Sequence, residues 1–259
     1  MARRLCLVTG ASAGIGAAFA QVFAARGYDL ALTARRAERL EALAEDLRRR
    51  FGVEVLTLPG DLSDPATPQR LIAAVADRER VIDALVNNAG YGLAEDEAQA
   101  WAARRAFLQV MVAAMAELSH AVLPGMVERR FGRIVHVASV LGLTPAMPGH
   151  GLYSAAKAFV VRLAEAQHLE ARCSGVHVTA LCPGFTRSEF HDVARLRDAV
   201  AAAPGWMWTS AAAVAEAGYA AVEANRPLCI PGGPNRAIAA LARVLPETWA
   251  LGLLARARG

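Results

Sequence analysis

The sequence predicts an α/β protein in which a doubly wound, seven-stranded parallel sheet lies between two layers of helices, three α/β/α layers in a single domain over residues 1–259. Two observations carry that expectation. Short runs rich in leucine and β-branched residues alternate along the chain with longer alanine-rich segments of helical period, the pattern of a parallel sheet with crossover helices. Hydrophobic residues make up 55% and charged residues 20%, enough apolar material for a large core, and no linker or internal repeat divides it.

Taken in order, strands are expected over Leu5–Val8, Leu30–Thr33, Val53–Leu58, Ala84–Val86, Arg133–Val137, Val176–Leu181 and Leu228–Ile230. The intervening helices are expected over Ile15–Arg26, Ala37–Arg50, Pro65–Arg80, Gln99–Arg130, Tyr153–Ser174 and Ala211–Asn225, most of them ending at glycine or charged turns. Right-handed crossovers then place helices on both faces of the sheet and a ligand crevice at the carboxyl ends of the strands. After the last strand, residues 234–259 form an amphipathic extension in which Ile238, Leu241, Val244, Leu245, Trp249, Leu251 and Leu254 mix with Arg236, Arg243, Arg256 and Arg258. Pro246 splits it into two short helices. Such helices serve to cover a pocket, another subunit or, less readily, a membrane surface.

Bulk properties narrow the function classes. Cys6, Cys173, Cys182 and Cys229 form no CxxC pair, and Met-Ala-Arg-Arg runs directly into an apolar strand, so a cytoplasmic location is expected. The longest uncharged stretch, Ile134–Ala156, is interrupted by Pro145, Pro148 and three glycines and holds two histidines, a poor membrane span. A net charge of +4 and a pI near 9.2 invite a nucleic-acid reading. The arginines are spread along the chain with few aromatics among them, so no nucleic-acid partner is expected. More telling, the 28 basic residues are 27 arginines and a single lysine, Lys157.

The first strand runs straight into Thr9-Gly10-Ala11-Ser12-Ala13-Gly14-Ile15-Gly16, which opens the first helix. Glycines at this spacing permit a tight turn, let the backbone approach a pyrophosphate and let helix pack on strand, while the helix N-terminus offers free N–H groups to the anion. At the end of the second strand, where a carboxylate would bind the ribose hydroxyl of NAD, stand Ala34, Arg35 and Arg36. Guanidinium groups match a 2'-phosphate in charge and geometry, so NADP(H) is the expected cofactor. A helix start disfavours cations, so the arginine pair needs a reason of this kind.

Tyr153 and Lys157 lie four residues apart, one face of a helix. A carbonyl reductase needs an acid for the incoming alkoxide, and an ammonium beside a phenol lowers the phenol's pKa. Ser139, at the end of the fifth strand, is placed to hydrogen-bond the same substrate oxygen.

Together with these residues, Asn87-Asn88-Ala89-Gly90, Tyr153-Ser154-Ala155-Ala156-Lys157 and Pro183-Gly184 stand in the order and spacing of the short-chain dehydrogenase/reductase family, which the chain resembles over roughly residues 5 to 230. The resemblance implies a Rossmann-type fold and Ser139, Tyr153 and Lys157 as catalytic residues. It implies a cofactor site of Gly10, Ser12, Gly14, Ile15, Gly16, Arg35, Arg36, Asp61, Leu62, Asn88, Ala89, Gly90, Pro183, Gly184 and Thr186, with Tyr153 and Lys157 shared. Asp61 and Leu62 would border the adenine, Thr186 would reach the nicotinamide amide, and Lys157 would also hold the nicotinamide ribose. No metal is implied. One departure stands out: aligning Val110-Met111-Val112 with the family pattern puts Met111 where a fourth catalytic residue, an asparagine, usually orders water beside the lysine.

Residues 185–210, which commonly cover substrate in this family, include Phe185, Phe190, Trp206, Met207 and Trp208. The expected substrate is therefore a small hydrophobic ketone, aldehyde or secondary alcohol, with Leu141, Met147, His150, Phe185 and Phe190 as pocket residues. The resemblance also implies a homodimer or homotetramer paired through the long helices Gln99–Arg130 and Tyr153–Ser174. Two alternatives stand beside this reading. Met111 keeps open an NADP-binding redox sensor with little turnover, and Arg129 and Arg130 could dock an acidic carrier protein in 3-oxoacyl reduction.

Overall fold

The computed structural model describes residues 3–93, 100–145, 151–187, 204–245 and 249. Strands β1 (Leu5–Thr9), β2 (Asp29–Thr33), β3 (Val55–Thr57), β4 (Ala84–Asn87), β5 (Gly132–Val137) and β6 (Val176–Leu181), with β9 (Leu228–Cys229), form one seven-stranded sheet in the order β3-β2-β1-β4-β5-β6-β9. Every pairing in it is parallel. β1, β2, β4 and β5 are buried throughout, as parallel strands covered on both faces must be, which explains their continuous rather than alternating apolar runs.

Helices α1 (Gly14–Ala24) and α2 (Ala37–Phe51) share one core with α7 (Ala211–Glu223), built on Phe19, Phe23, Leu40, Leu47, Val214 and Val222. On the opposite face α3 (Thr67–Ala76), α5 (Ala114–Glu128) and α6 (Gly151–Ala171) pack through Leu71, Leu118, Val160 and Ala164. The doubly wound three-layer architecture is thus the expected one. The chain order reverses between β1 and β4, and the crevice at that switch point lies outside their carboxyl ends.

Three local differences from the expected elements have physical reasons. The strand expected over Val53–Leu58 is paired only over Val55–Thr57, and the helix expected over Pro65–Arg80 spans Thr67–Ala76, the chain leaving it through Glu79 at φ 55°. The helix expected over Gln99–Arg130 runs as α4 (Trp101–Leu108), a π-helical turn over Gln109–Ala113, and α5. Such turns concentrate at functional sites, and this one carries Met111. Trp101–Glu128 is long and apolar enough to cross a membrane by length and composition, yet Phe107, Met111, Ala114, Leu118 and Met126 within it are fully buried in the protein core. Residues 185–210 contribute two short strands, β7 (Thr186–Arg187) and β8 (Thr209–Ser210), paired in parallel. Of the two C-terminal helices expected, the first is α8 (Gly233–Val244); the second falls outside the described residues.

A chain of buried polar side chains ties β4 and β5 to α5 and α6 behind the crevice. His136 Nε2 lies 2.9 Å from Gln167 Oε1, an acceptor, so the ring carries its proton there and bare Nδ1 accepts from Asn87 Nδ2 at 3.3 Å. Asn87 also donates to the Met115 carbonyl, and Gln167 to Ser119 Oγ. This arrangement has no place for a second ring proton, and burial pushes the imidazole down to about 4. A folded-state value below the ordinary 6.5 makes His136 neutral-state stability complete above pH 6.5 and lost as pH falls from 6.5 towards 4, by about 3 kcal/mol. Denaturant unfolding across that range should show the decline, and His136→Asn, which cannot charge, should flatten it.

Candidate active site

The glycine turn is shaped by contacts that leave no room for side chains. Gly10 sits at φ +65°, and a Cβ there would come within 2.9 Å of the Ala89 backbone; a Cβ on Gly16 would stand 2.3 Å from the Gly10 carbonyl oxygen. Asn88 Nδ2 donates to the carbonyls of Thr9 and Gly10, and Thr9 Oγ1 accepts from the amides of Asn88 and Ala89. The ends of β1 and β4 are thereby stitched together at the switch point. α1 begins with Ala13 as N-cap and has no side-chain cap, so its first amides face an anion unobstructed.

These elements border an open cleft of ≈ 460 Å³. Of the residues expected to hold a cofactor or do chemistry, Gly10, Ser12, Gly14, Ile15, Arg35, Arg36, Asp61, Leu62, Asn88, Ala89, Gly90, Ser139, Tyr153, Lys157, Pro183, Gly184 and Thr186 all line it. Gly16 does not, because its part is the close packing of α1 on the turn. The substrate residues fare differently. Phe185 stacks on Trp208 with ring centres 5.4 Å apart, and neither it nor Leu141 lines the cleft. Met147, His150 and Phe190 lie outside the described residues.

Other lining residues had not been singled out in the sequence: Thr33, Gly60, Ala138, Tyr91, Ala106 and Val110 among them. Thr33 ends β2, and Gly60 and Ala138 lie just beyond β3 and β5 on the crevice side, so the carboxyl-end rule would have found them. Tyr91 directly follows Gly90 and meets Phe107 edge-on, ring centres 5.6 Å apart; nothing in its local sequence marks it as a wall of the site.

At the β2 end of the cleft, Arg36 Nη2 and Nε donate to Ser12 Oγ at 3.0 and 3.3 Å. Thr33 Oγ1 is buried beside the cleft with no partner among the described residues. An uncapped helix start, an unpartnered buried hydroxyl and an exposed guanidinium in one groove fit a phosphorylated dinucleotide. At the other end, Ser139 Oγ accepts from the Leu141 amide at 3.2 Å and hydrogen-bonds the Tyr153 phenol. Lys157 is buried, its Nζ donating to the Val137 carbonyl at 2.8 Å and lying 5.7 Å from the centre of the Tyr153 ring.

Burial holds the Lys157 amine down to about 8 and pushes the Tyr153 phenol up to about 12, the bond to Ser139 pulling the other way. The expectation that the lysine would lower the phenol is therefore not met in the open cleft. Desolvation is the largest cause, and the Lys157 ammonium donates to the Val137 carbonyl. Met111 is fully buried in an apolar cluster with Phe107 and Ala156, against which Tyr91 and Tyr153 pack, and its Sδ abuts Gly90. Arg129, at the end of α5, donates to the Ile82 carbonyl at 3.1 Å. Among the described residues, no group of histidine, cysteine, aspartate and glutamate is placed to hold a metal ion.

Residues 4–198 match the family model described as short chain dehydrogenase. The chain is 38% identical over 189 residues to sulfoacetaldehyde reductase 2 of Chromohalobacter salexigens, covering 72% of this chain and 74% of that protein. Among solved structures it is similar to a short-chain dehydrogenase from Sphingobium yanoikuyae in complex with NADPH, at TM-score 0.81 and 32% identity over 94% of this chain and 96% of the other. It is also similar to the bulky-bulky ketone specific alcohol dehydrogenase from Comamonas testosteroni, at TM-score 0.75 and 27% identity over 98% and 92% of the two chains. A nucleotide turn, a cleft at the switch point and a sequence match across three quarters of the chain agree: this protein belongs to the short-chain dehydrogenase family of oxidoreductases.

Proposed function

We propose that the protein is an NADP(H)-dependent reductase of small hydrophobic ketones or aldehydes, with Tyr153 as the proton donor. The observation that carries this reading is the Ser139–Tyr153 hydrogen bond, set beside buried Lys157 in the same cleft as an arginine-bearing nucleotide turn. A nicotinamide dinucleotide bound along the cleft supplies the hydride for the carbonyl carbon. The chain's residues handle the oxygen. Ser139 and Tyr153 present two hydroxyls to it, and the phenol, pushed up to about 12, is fully protonated near neutrality. As negative charge develops on the carbonyl oxygen, the Tyr153 O–H bond breaks and its proton goes to that oxygen, giving the alcohol and a phenolate that the neighbouring Lys157 charge stabilises.

Arg36 and Ser12 support NADP(H) over NAD(H), since no carboxylate stands at positions 34–36 to bind a ribose hydroxyl. Tyr91, Ala106 and Val110 supply an apolar wall, which supports an apolar substrate; the NADPH-bound and ketone-specific relatives point the same way. Exposed Trp101, Phe159 and Leu169 on α4 and α6 support pairing between subunits as a dimer or tetramer, and the four free cysteines support a reducing, cytoplasmic setting. The test is NADPH consumption with a panel of aliphatic, aromatic and polar carbonyl compounds, with NADH as control. Turnover of the apolar compounds with NADPH is expected; turnover of polar sugars alone, or with NADH alone, would overturn the reading.

Met111 bears on rate. No asparagine stands between Asn88 and Asn225, and a thioether is a poor element for passing protons through water. Met111→Asn should raise kcat by up to about tenfold. It should also lower the unfolding temperature, because the amide enters an apolar cluster at a cost of about 1–3 kcal/mol. A large loss of kcat with cofactor binding intact would show that the thioether's packing behind Tyr153 is what the reaction needs.

A further inference from the structure

The formal charge of the chain is unevenly distributed. Residues 1–225 carry 23 basic and 23 acidic side chains, whereas residues 226–259 carry five arginines against Glu247 alone, so the whole net charge of +4 resides in that last stretch. Within it, α8 rests on the body by a narrow strip: Asn235 and Ala239 are buried, and Asn235 Nδ2 donates to the Pro231 carbonyl at 2.8 Å. Away from the strip, Ile238, Leu241 and Val244 recur every third residue and are 39%, 56% and 76% exposed. Arg236 and Arg243, seven residues apart and both exposed, form a row along one edge of the helix. Trp249, also exposed, follows.

We propose that α8 is a peripheral membrane anchor, lying in the interface of a bilayer that bears anionic headgroups. Ile238, Leu241 and Val244 enter the acyl boundary while Arg236 and Arg243 reach the phosphates. Charge disfavours a second copy as the occupant, because stacking two such faces brings the Arg236 and Arg243 rows of two helices together. The chemistry of the face decides against an acidic protein. Three neighbouring exposed aliphatic side chains match a hydrocarbon surface, whereas the carboxylates of an acidic protein would find partners only in the two arginines. The anchor starts at the rim of the cleft: a Cβ on Gly184 would come within 2.2 Å of Asn235 Oδ1, so α8 is seated on the Pro183–Gly184 turn that lines the site.

Sedimentation of the full chain with vesicles tests this without any cofactor or substrate. The chain should pellet with phosphatidylcholine vesicles containing phosphatidylglycerol, stay in solution with phosphatidylcholine alone, and be released by high salt. Arg236→Gln and Arg243→Gln should each weaken binding roughly fivefold, and Leu241→Glu with Val244→Glu should abolish it. All four side chains are exposed, so circular dichroism and unfolding temperature should not change. Equal binding to neutral vesicles, no binding to either kind, or unaltered binding by these variants would overturn the proposal. So would light scattering that shows Leu241→Glu with Val244→Glu splitting an oligomer, or retention on polyglutamate through the same arginines without vesicle binding. The first outcome would assign the face to a second copy and the second to an acidic protein.

Discussion

Replacing Tyr153 with phenylalanine should lower kcat by about a thousandfold while leaving NADPH affinity within about twofold. The substitution removes one oxygen from a ring that packs with Tyr91, Phe107 and Met111, so the shape of the wall is kept and only the donor is lost. Ser139 remains as a hydroxyl near the substrate oxygen, but its proton is far less acidic than a phenol's, so it stabilises without donating. Single-turnover absorbance at the nicotinamide band separates the two effects. Binding measured by fluorescence should persist, and the hydride step should slow by the full factor. Retention of more than a tenth of the activity would place the proton donor elsewhere.

Charge reversal at Arg36 has the second largest expected effect. Its guanidinium is exposed at the β2 end of the cleft and already bound to Ser12, which lines the cleft. Arg36→Asp replaces charge-assisted hydrogen bonds to a phosphate with repulsion, a change of about 3–4 kcal/mol, or several hundredfold in the KM for NADPH. The same carboxylate gains a ribose hydroxyl as partner, so the KM for NADH should fall. The preference ratio is the diagnostic. Loss of both coenzymes together would mean that the α2 start had been disturbed, and an unchanged ratio would mean that the 2'-phosphate is held by Arg35 or another group.

Much of this architecture was legible because parallel strands announce themselves. Buried on both faces, β1, β2, β4 and β5 carry apolar side chains at most positions rather than at alternate ones, and no helix with an exposed face imitates that. The nucleotide turn was legible because its steric demands, a left-handed Gly10 and a Gly16 pressed on a carbonyl, admit glycine alone. The Tyr153–Lys157 pair was legible from helical spacing and from the absence of any other lysine.

What escaped was set by tertiary context. The π turn over Gln109–Ala113 depends on how α4 and α5 meet α6 and the sheet, and nothing in Gln-Val-Met-Val-Ala marks it. Tyr91 became a wall through its contact with Phe107, and the polar chain through His136 joins residues as much as 80 positions apart. The elevated phenol escaped for a related reason. Spacing fixes which groups are neighbours, while burial decides which way the phenol's pKa moves.

The short ladder between β7 and β8 has a consequence for how such an enzyme can change. Thr186 pairs with Thr209 and Arg187 with Ser210, so the chain departs from the rim of the cleft and is tied back to the same place before α7 begins. Both ends of the intervening stretch are clamped on the scaffold, and the sheet's register does not depend on what it contains. Exchanging residues 188–203 as a cassette therefore tests whether that stretch decides which molecules are accepted, because neither strand of the ladder has to be altered.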